Sequence, residues 1–449
     1  MREADLLALH ERFPARYPVL LESVGGAEPL GRHDVLFALP GERLVQAPDG
    51  QLMGDVPEAT AGGTFLEALD RWVDRERGTG DIVPGGAVFA GGWFLYLGYE
   101  LAGEIEPTLR LPASHLPRAV AWRMHGALLR DRWTREVRIV ARDSGVLDRL
   151  REQVRADLAA VAGAAARIPP AVLATAVAEQ EPQVFLDGVH AVLDAIARGD
   201  VYQANLSRSW RARLAPGATV PDLYQALRLA NPAPFAALAQ FSDFALLSSS
   251  PERLLQLRDG IASTRPIAGT RPRGRDDVAD AALKSELKLN EKERAEHIML
   301  VDLERNDLGR ICRGGTVEVD EFMTIETYAT VHHIVSNVRG VLRDDVTPGQ
   351  AIAAVFPGGT ITGCPKVRCM GLLAGLEREP RDAYTGSLGY LDLGGAMDLN
   401  ILIRTLTVRD REIGFRTGAG IVADSVPEAE LAETRAKANG ILRALGERR

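Results

Sequence analysis

The spacing of apolar and polar residues changes along the chain, and its two periods predict a mixture of helices and strands. Residues 185–197 carry apolar side chains at the spacing of an amphipathic helix, and Gly199 follows where a helix commonly ends. The next segment, 201–207, alternates residue by residue instead. This alternation predicts a strand with Gln203 and Asn205 on the same face.

The same reasoning places further elements along the chain. Two short apolar runs separated by Asp259 and Gly260 predict a β-hairpin, because this residue pair favours a tight turn. Ser425 and Glu428 flank Pro427 as a capping box and predict the start of the last helix. The other predicted elements are strands at 35–39, ending at Pro40 and Gly41, at 331–338 and at 401–408, and helices at 280–303, 365–377 and 426–445.

One local change in amino-acid composition divides the chain. Residues 158–178 are dominated by alanine and interrupted by two prolines, which predicts a linker at 158–183. This linker would separate an N-terminal subdomain, 1–157, from a catalytic domain, 184–449. A helix end followed by an ordinary connection explains the same composition and stays open as an alternative. Because strands, antiparallel hairpins and helices are mixed, we expect an α/β or α+β fold.

Composition excludes several classes of protein. Of the 449 residues, 46% are hydrophobic and 25% are charged, an average balance for a folded globular protein, and the formal net charge is −8. The acidic balance argues against nucleic acid as a partner, and no apolar stretch reaches the roughly 18 residues that a membrane span requires. Three cysteines are too few for a disulfide framework. Because the N-terminus also lacks a signal-peptide pattern, we expect a cytoplasmic protein.

Candidate chemistry begins with acidic side chains on two predicted helices. Glu430, Glu433 and Lys437 recur at the spacing of one helical face, and Glu296 lies on the helix predicted at 280–303. Two carboxylates from different helices suit one Mg²⁺ ion, which binds one or two protein carboxylates together with water and ligand oxygens. A solvated helix face with a Glu433–Lys437 ion pair is the alternative.

Two glycine-rich segments, 356–363 and 417–422, lie shortly before predicted helices. Glycines allow backbone N–H groups to approach a ligand closely, and helix N-termini favour anions. Neither segment matches a nucleotide-binding motif, and tight packing turns are the alternative.

Three further segments carry charged or titratable residues in unusual places. Glu252 follows a proline at a strand start, where a carboxylate is easily aimed at a ligand, although a surface loop acid gives the same pattern. His332 and His333 are adjacent in a strand pattern, so only one of them can enter a given site. Arg404 is embedded in an apolar run. A buried arginine needs an anionic partner, unless its head group snorkels to the surface.

Taken together, these segments resemble the chorismate-utilising enzyme family. The resemblance covers the C-terminal two thirds of the chain in order, and a weaker one covers 20–23 and 32–35. The matching stretches are SerProGluArg at 250–253, ArgProIleAlaGlyThrArg at 265–271, the segment 295–308, ValHisHisIleValSer at 331–336, residues 356–370, IleArgThr at 403–405, GlyAlaGlyIleVal at 418–422 and GluThrArgAlaLysAla at 433–438.

The resemblance implies a fold and a set of roles. Two intertwined subdomains would form a β-sandwich flanked by helices around a chorismate site. Glu296, Glu433 and Glu430 would form the Mg²⁺ site. Glu252 would be the general acid that protonates the departing C4 hydroxyl, and His333 would lie near that hydroxyl. The implied substrate-binding residues are Gly269, Thr270, Thr360, Tyr384, Arg404, Gly418, Ala419, Gly420 and Lys437.

Within this resemblance, Gln203 indicates the nucleophile. Family members that add water carry a lysine at this strand position to deprotonate it, whereas ammonia needs no base. The neutral Gln203 therefore favours ammonia. Because the chain has no cysteine nucleophile motif for glutamine hydrolysis, a separate glutamine amidotransferase subunit is the implied partner.

Two positions of amination are open. Several stretches resemble the aminodeoxychorismate synthases, which aminate chorismate at C4 to give 4-amino-4-deoxychorismate for 4-aminobenzoate and folate biosynthesis. Ala268, however, stands where those enzymes often carry a lysine that attacks C2. An alanine there is similar to the anthranilate synthases, which aminate C2 and eliminate pyruvate in tryptophan biosynthesis. We expect the C4 reaction, with another group or a first ammonia adding at C2.

The N-terminal LeuLeuGluSer at 20–23 resembles the tryptophan-binding segment of the family. Glu22 and Ser23 are therefore candidates for a tryptophan pocket, and an ordinary core strand is the alternative. A ligand-binding regulatory protein with an inactive site is a different class of function, supported by Ala268 alone. The intact Glu252 and Glu433 weigh against that hypothesis.

Overall fold

The computed structural model describes residues 5–25, 30–77, 88–162, 170–328 and 331–446, apart from the side chain of Lys292. Its helices are α1 (Leu6–Arg12), α2 (Phe65–Arg77), α3 (Ala102–Ile105), α4 (Ser144–Ala162), α5 (Pro182–Ala197), α6 (Val220–Ala230), α7 (Asp277–Leu289), α8 (Glu291–Gly309), α9 (Pro348–Val355), α10 (Lys366–Glu377) and α11 (Pro427–Leu445), with short 3₁₀ turns at Pro57–Ala59, Tyr99–Leu101 and Gly359–Ile361. Within those ranges, every helix is too short or too polar to cross a membrane.

The strands of the same ranges pair in antiparallel fashion. They are β1 (Val19–Glu22), β2 (His33–Gln46), β3 (Leu52–Gly54), β4 (Gly92–Leu97), β5 (Ala119–Asp131), β6 (Val137–Ala141), β7 (Ala174–Glu179), β8 (Gln203–Leu214), β9 (Phe235–Gln240), β10 (Ala245–Ser250), β11 (Arg253–Arg258), β12 (Ile261–Thr264), β13 (Ile267–Pro272), β14 (Glu318–Thr327), β15 (Val331–Val341), β16 (Gly363–Cys364), β17 (Ser387–Asp392), β18 (Met397–Asn400), β19 (Thr405–Arg409) and β20 (Glu412–Ile421).

The pairings join most strands into one long ribbon. Its order is β7–β8–β20–β19–β10–β9–β1–β2–β5–β4–β17–β18–β11–β12–β15–β14. Strand β13 pairs with β15 on the same side as β12. The short strands pair one to one, β3 with β2, β6 with β5 and β16 with β8. Seven of the fifteen pairings in this order join strands that are not consecutive in the chain, and these pairings bring remote segments together.

The ribbon folds back on itself into two packed layers. Strands β1, β2, β9 and β10 share an apolar core with β4, β5 and β17, where Phe37 and Leu246 of the first group pack with Phe94, Trp122 and Leu388 of the second. Helices α1, α4, α6 and α11 cover the outer face of one layer, and α2, α8 and α9 cover the other. The predicted α/β class, with a β-sandwich flanked by helices, is confirmed.

Strands from the two ends of the chain alternate within the sandwich. Strand β1 lies between β9 and β2, and β4 lies between β5 and β17. Strand β7 falls inside the predicted linker, 158–183, and pairs with β8, while residues 163–169 of that linker lie outside the described residues. The predicted boundary therefore does not coincide with a break between sheets.

Two helix predictions are wrong in detail because local hydrogen bonds compete with the helix. The predicted helix 280–303 is broken at Asn290, which ends α7 and whose side chain accepts a hydrogen bond from the N–H of Glu293 to cap α8. Ser425 does not cap α11. Val426 is the N-cap, and the Ser425 hydroxyl instead accepts a hydrogen bond from the N–H of Val422.

Two strand predictions also differ from the structure. The strand predicted at 401–408 begins only at Thr405, and Arg404 adopts a left-handed conformation with a φ of 52° between β18 and β19. Strand β2 continues past Pro40 to Gln46, because a register shift against β5 accommodates the proline. The hairpin is confirmed, with Asp259 and Gly260 both at positive φ between β11 and β12.

A buried ion pair fixes β8 against the segment between α9 and α10. The Glu377 carboxylate accepts hydrogen bonds from the backbone and the hydroxyl of Ser207, both at 2.8 Å, and from Arg381 at 2.7 and 2.9 Å. Arg381 also donates to the carbonyl oxygens of Asn205, at 2.6 Å, and Ile361, at 3.2 Å. The network therefore sets the position of the β8 segment that carries Gln203 and Asn205.

Replacing Glu377 with alanine should strongly destabilise the protein, because Arg381 would remain buried without a counter-charge. We expect a loss of roughly 3–5 kcal/mol in the free energy of unfolding. The matched control is Glu379→Ala, which removes a partly exposed carboxylate that pairs with Arg211 and Arg416 and should cost at most about 1 kcal/mol. Urea unfolding followed by circular dichroism compares the two variants, and equal losses would contradict this assignment.

Candidate active site

Residues from separate segments converge beside the end of β8 that starts at Gln203. They come from the β10–β11 connection, from β13 and β15, from the 3₁₀ turn Gly359–Ile361, from the β18–β19 connection, from β20 and from helices α8 and α11. A series of hydrogen bonds and electrostatic contacts connects these segments in space, with Glu252 at one end and Glu296 at the other.

Glu252 is a buried carboxyl group aimed away from solvent. It lies between β10 and β11 with 5% of its surface exposed, and its Oε1 accepts a hydrogen bond of 2.7 Å from the Thr360 hydroxyl. Burial raises the pKa of Glu252 to about 7, although Thr360, Lys437 and Arg404 favour its charged form. A carboxyl with this pKa is still partly protonated at neutral pH and is suited to general acid catalysis.

Arg404 and His333 lie close to this carboxyl. Burial lowers the pKa of Arg404, and the Glu252 carboxylate opposes that effect. Among the described residues, no hydrogen-bond partner is found for the Arg404 guanidinium, so it is available to an anionic ligand. Burial, with Arg404 adding to it, lowers the pKa of His333 to about 3, so this imidazole is neutral at physiological pH.

The orientation of His333 is set by β13. Its Nδ1 lies 2.9 Å from the Thr270 hydroxyl and 3.4 Å from the carbonyl oxygen of Gly269. Because a carbonyl only accepts hydrogen bonds, Nδ1 carries the proton and Nε2 is an acceptor. His332 points to the opposite face, as predicted, where its Nε2 bonds Asp280 of α7 at 2.9 Å.

The bulge in β13 positions two more predicted residues. The register against β15 shifts between Ala268 and Thr270, and Gly269 sits at the shift with a φ of 67°. A side chain on Gly269 would come within 2.8 Å of the Glu293 carboxylate, which explains the glycine. Ala268 is buried in β13 and offers no nucleophile.

Helices α8 and α11 contribute facing carboxylates. Burial raises the pKa of Glu296, and the nearby carboxylates Glu293 and Glu433 raise it further. The amide of Gln203 donates a hydrogen bond of 2.7 Å to Glu296, and Lys437 pairs with Glu433 at 2.7 Å. In the described part of the chain, no group of three or more His, Cys, Asp or Glu side chains is arranged to hold a metal ion.

Mg²⁺ is nevertheless ordinarily bound by only one or two protein carboxylates, with water and ligand oxygens completing its coordination. Concentrating negative charge at Glu296 is unfavourable without a cation, so the donor set of Glu296 and Glu433 fits such an ion. Glu430, the third predicted metal ligand, is buried in the first turn of α11. Glu293 and Glu433 are nearby carboxylates that raise the pKa of Glu296, and the role of Glu430 as a metal ligand stays a prediction.

The register of β20 against β8 shows which backbone groups face the site. Gly418 pairs with Ser207 and Gly420 with Asn205. The N–H groups of Ser207 and Asn205 donate away from β20, to Glu377 and to the carbonyl of Thr362, and Lys437 bonds the carbonyl oxygen of Gly418 at 3.0 Å. These are therefore non-hydrogen-bonded pairs of the antiparallel ladder, in which both residues direct their N–H groups away from the partner strand. Gly418 and Gly420 therefore offer two N–H groups on the open edge of β20.

Close contacts explain why positions 418 and 420 of this edge are glycines. A side chain on Gly418 would come within 2.6 Å of the Asn205 amide and 2.7 Å of the Tyr384 hydroxyl, and one on Gly420 within 2.6 Å of the Gln203 amide. Ala419 between them packs its methyl group into the apolar core under α5 and α10. Of the three predicted backbone positions, Ala419 is therefore the one that faces away.

Several buried polar atoms of the site have no hydrogen-bond partner among the described residues. They are Gln203 Oε1, Asn205 Oδ1 and His333 Nε2. Buried polar atoms are usually satisfied in folded proteins, so a cluster of unsatisfied ones indicates the place of a polar ligand. The site thus combines an acid of raised pKa, a guanidinium without a hydrogen-bond partner among the described residues, two outward N–H groups and a pair of carboxylates. This arrangement can bind a polyanion and protonate a leaving group on it.

The sequence reasoning missed three residues of this region. Glu293 lies one helical turn before Glu296, a spacing that signals a shared face. Asn205 lies on the Gln203 face of β8. Glu304 is buried near Gly359, and burial together with Asp307 raises its pKa to about 8. No local pattern marks Glu304, because its surroundings come from distant segments.

The N-terminal candidates, Glu22 and Ser23, line a cavity whose lining includes none of the site residues described above. This cavity of about 140 Å³ is lined by Leu21, Ser23, Arg253, Tyr390, Asp398 and Asn400 among others. The Glu22 carboxylate is bonded to Tyr224 and Arg228 of α6 and to Arg130 of β5. The charge of Glu22 is therefore already paired, and tryptophan binding at Glu22 and Ser23 stays a prediction.

Comparisons with known proteins agree on one family. A profile described as chorismate binding enzyme matches residues 43–443. An anthranilate synthase component I-like protein of Synechocystis sp. is 41% identical over 81% of this chain and 74% of its own length. The aminodeoxychorismate synthase component 1 of Bacillus subtilis is 48% identical over 58% of this chain and 55% of its own length. The crystal structure of anthranilate synthase component I from Streptococcus pneumoniae superposes with a TM-score of 0.80, at 28% identity and 93% coverage of both chains.

Removing the hydroxyl of Thr360 should raise the pKa of Glu252 above about 7, because this hydrogen bond stabilises the ionised carboxylate. In Thr360→Val we expect an upward shift of roughly one pKa unit, the equivalent of one hydrogen bond to a charged group. Infrared difference spectroscopy across a pH titration measures the protonated carboxyl band, and Glu252→Gln assigns it.

The matched control for this titration is Thr362→Val, since the Thr362 hydroxyl bonds the carbonyl of Gly358 instead. This variant should leave the titration unchanged. A wild-type Glu252 that titrates near pH 4, or a pKa that falls in Thr360→Val, would refute the assignment.

Proposed function

Since the chain belongs to the chorismate binding enzyme family and is an enzyme that acts on chorismate, we propose that its reaction is amination by ammonia at C4. The product would be 4-amino-4-deoxychorismate, with water released. One observation carries the amination: the buried Glu252 carboxyl has its pKa raised to about 7 and can donate a proton near neutral pH, while the neutral amide of Gln203 offers no base to activate water. The choice of C4 rests on the stretches that resemble the aminodeoxychorismate synthases, such as residues 202–206 and 361–370.

The chemistry follows from the charges of chorismate. This substrate carries two carboxylates, and hydroxide is a poor leaving group from its ring. The Arg404 guanidinium, the Lys437 ammonium and the N–H groups of Gly418 and Gly420 are the donors assigned to the carboxylates. Proton transfer from Glu252 to the C4 hydroxyl would let it leave as water, a contribution of roughly 10²–10⁴-fold in rate. The His333 Nε2 acceptor would orient that hydroxyl.

The metal proposed for this site is Mg²⁺, with Glu296 and Glu433 as its protein ligands. When bound, Mg²⁺ would neutralise the ring carboxylate and make the ring a better electron acceptor. The facing carboxylates support this assignment, because Glu293 and Glu433 both raise the pKa of Glu296 in the absence of a cation. Gln203 would hold Glu296 in place through its hydrogen bond of 2.7 Å.

Ammonia fits this site better than water as the nucleophile. Ammonia has a free lone pair without prior deprotonation, whereas water needs a general base. The amide of Gln203 provides no base, and its N–H group is engaged with Glu296. A glutamine amidotransferase subunit is the proposed ammonia source, as the sequence indicates.

Amination at C4 must proceed without a lysine at position 268. In our proposal, ammonia first adds at C2, both conjugated double bonds of the ring shift, and the C4–O bond breaks as Glu252 supplies its proton. A second ammonia then adds at C4 and expels the C2 nitrogen, so that one ammonia is consumed overall. The second candidate function is anthranilate formation, in which the C2 amine is kept and pyruvate is eliminated. The buried Ala268 favours that alternative, and relatives under both names support each.

A product assay distinguishes these reactions. Incubated with chorismate, Mg²⁺ and an ammonium salt at alkaline pH, the protein should form 4-amino-4-deoxychorismate, detected by chromatography with mass spectrometry. An added lyase should convert this product to 4-aminobenzoate. Anthranilate as the main product would establish the second candidate instead, and the absence of any aminated product would refute both.

The metal assignment is tested by Glu433→Gln, which removes a proposed ligand and keeps its shape. The Mg²⁺ concentration for half-maximal activity should rise roughly tenfold or more, and calorimetry should show the same weakening of Mg²⁺ binding in the presence of chorismate. The matched control is Glu428→Gln, an exposed acid in the first turn of the same helix, which should behave as wild type. Equal Mg²⁺ requirements in both variants would contradict the assignment.

A further inference from the structure

We propose that Tyr328 is a positioning residue that acts on the substrate through His333: its ring supports the imidazole, and its hydroxyl holds the Glu326 carboxylate away from Nε2. The inference rests on the proposed function, in which Nε2 of His333 accepts a hydrogen bond from the C4 hydroxyl of chorismate. For this purpose the imidazole must keep its position and must carry its proton on Nδ1. The residues around His333 maintain both conditions.

The ring of Tyr328 packs against the imidazole of His333. Tyr328 is 8% exposed, and the two ring centroids lie 5.6 Å apart with 63° between the ring planes, an edge-to-face contact. On the other flank, Nδ1 of His333 lies 2.9 Å from the Thr270 hydroxyl. Strands β13 and β14 both pair with the part of β15 that carries His333, so they flank it on either side. The imidazole is therefore held from both neighbouring strands.

A carboxylate stands beside this imidazole. Glu326 is directly opposite His333 in the register of β14 against β15, and side chains paired in this way share a face of the sheet. Because Nδ1 faces Thr270 on β13, the nitrogen open to a carboxylate on β14 is Nε2. A free carboxylate there would favour a proton on Nε2 or a charged ring. Either change would turn the acceptor at Nε2 into a donor.

Both oxygens of Glu326 are engaged elsewhere. Its Oε2 accepts a hydrogen bond from the Tyr328 hydroxyl, and its Oε1 accepts one from the guanidinium of Arg265, which also bonds Glu321 at 2.9 Å. Arg265 is buried, so solvent screens its ion pair with Glu326 only weakly. Charge-assisted hydrogen bonds are strong, and these two hold the carboxylate away from the imidazole. Among the described residues, Nε2 of His333 has no partner and is available to the substrate.

The role belongs to the side chain of Tyr328, because its backbone is held separately. The N–H group of Tyr328 donates to the carbonyl of Val331 at 2.8 Å, and its carbonyl oxygen accepts a hydrogen bond from Arg273 at 3.2 Å. A substitution at position 328 leaves both of these bonds available. Its effects can therefore be assigned to the lost ring or hydroxyl.

Nuclear magnetic resonance of the protein labelled with ¹⁵N-histidine tests the proposal in Tyr328→Phe, which keeps the ring and removes the hydroxyl. The signals of His333 are assigned by their loss in His333→Ala. In the wild type they should show a proton on Nδ1 and none on Nε2. In Tyr328→Phe the freed oxygen of Glu326 should shift part of the population to a proton on Nε2, so that the signals of both ring nitrogens move.

The matched control for the spectra is Tyr17→Phe. Tyr17 is also a buried tyrosine whose hydroxyl donates to a carboxylate, that of Asp157 at 2.8 Å, and an arginine, Arg16, pairs with the same carboxylate. The two variants thus lose the same kind of hydrogen bond. Tyr17→Phe should leave the His333 signals unchanged.

Steady-state kinetics of chorismate consumption gives the functional readout. In Tyr328→Phe we expect kcat to fall roughly tenfold, the equivalent of one hydrogen bond to the substrate, while the KM for chorismate changes less than about threefold. Tyr328→Leu also removes the ring contact and should lower kcat further. In a His333→Ala background, Tyr328→Phe should change kcat less than about twofold, because its effect acts through the imidazole.

The outcomes separate this inference from the proposed function. A wild-type protein that consumes no chorismate with Mg²⁺ and ammonia present would refute the proposed function and the inference with it. An active wild type whose His333 signals are unchanged in Tyr328→Phe, or an equal loss of kcat with and without His333, would overturn the inference alone. Thermal melting shows whether each variant is folded, and if Tyr328→Phe unfolds, Tyr328→Leu is judged by the same signals.

Discussion

The cost of ionising one buried carboxyl governs the chemistry of this protein. Glu252 lies where two strand ends, a 3₁₀ turn and a left-handed connection meet, and burial opposes its negative charge more strongly than its neighbours favour it. The group is thus still partly protonated near neutral pH and can act as an acid. The other residues of the site position the substrate relative to Glu252, since an anion bound by Arg404 would present its leaving group to that proton.

The sandwich makes this arrangement possible by joining remote segments. Glu252, Arg404 and Gln203 come from strands or connections that are far apart in sequence but linked through the β11–β18, β10–β19 and β8–β20 pairings. The Glu377–Arg381 pair sets β8 against the turn that carries Thr360, because Arg381 bonds the carbonyl oxygens of Asn205 and Ile361. The acid and the amide face are therefore positioned by one buried network.

Sequence patterns predicted what depends on local periodicity. Helices α5, α10 and α11, the hairpin at Asp259 and the opposite orientations of His332 and His333 follow from spacing alone, and the family follows from ordered motifs. The break at Asn290 was missed, because its side-chain hydrogen bond competes with a continuous helix. The conformation of Arg404 was missed, because strands distant in sequence determine where β19 starts. Glu304 carries no local signal, since its surroundings come from segments that are distant in sequence.

The dependence of kcat/KM for chorismate on pH tests the central claim most directly. With the concentration of free ammonia held constant, kcat/KM should fall about tenfold per pH unit above about pH 7, as Glu252 loses its proton. The fall should disappear in Glu252→Gln, together with most of the activity. A wild-type profile that stays flat or rises between pH 7 and 9 would contradict the account, because the acid that expels the hydroxyl would then not be this carboxyl.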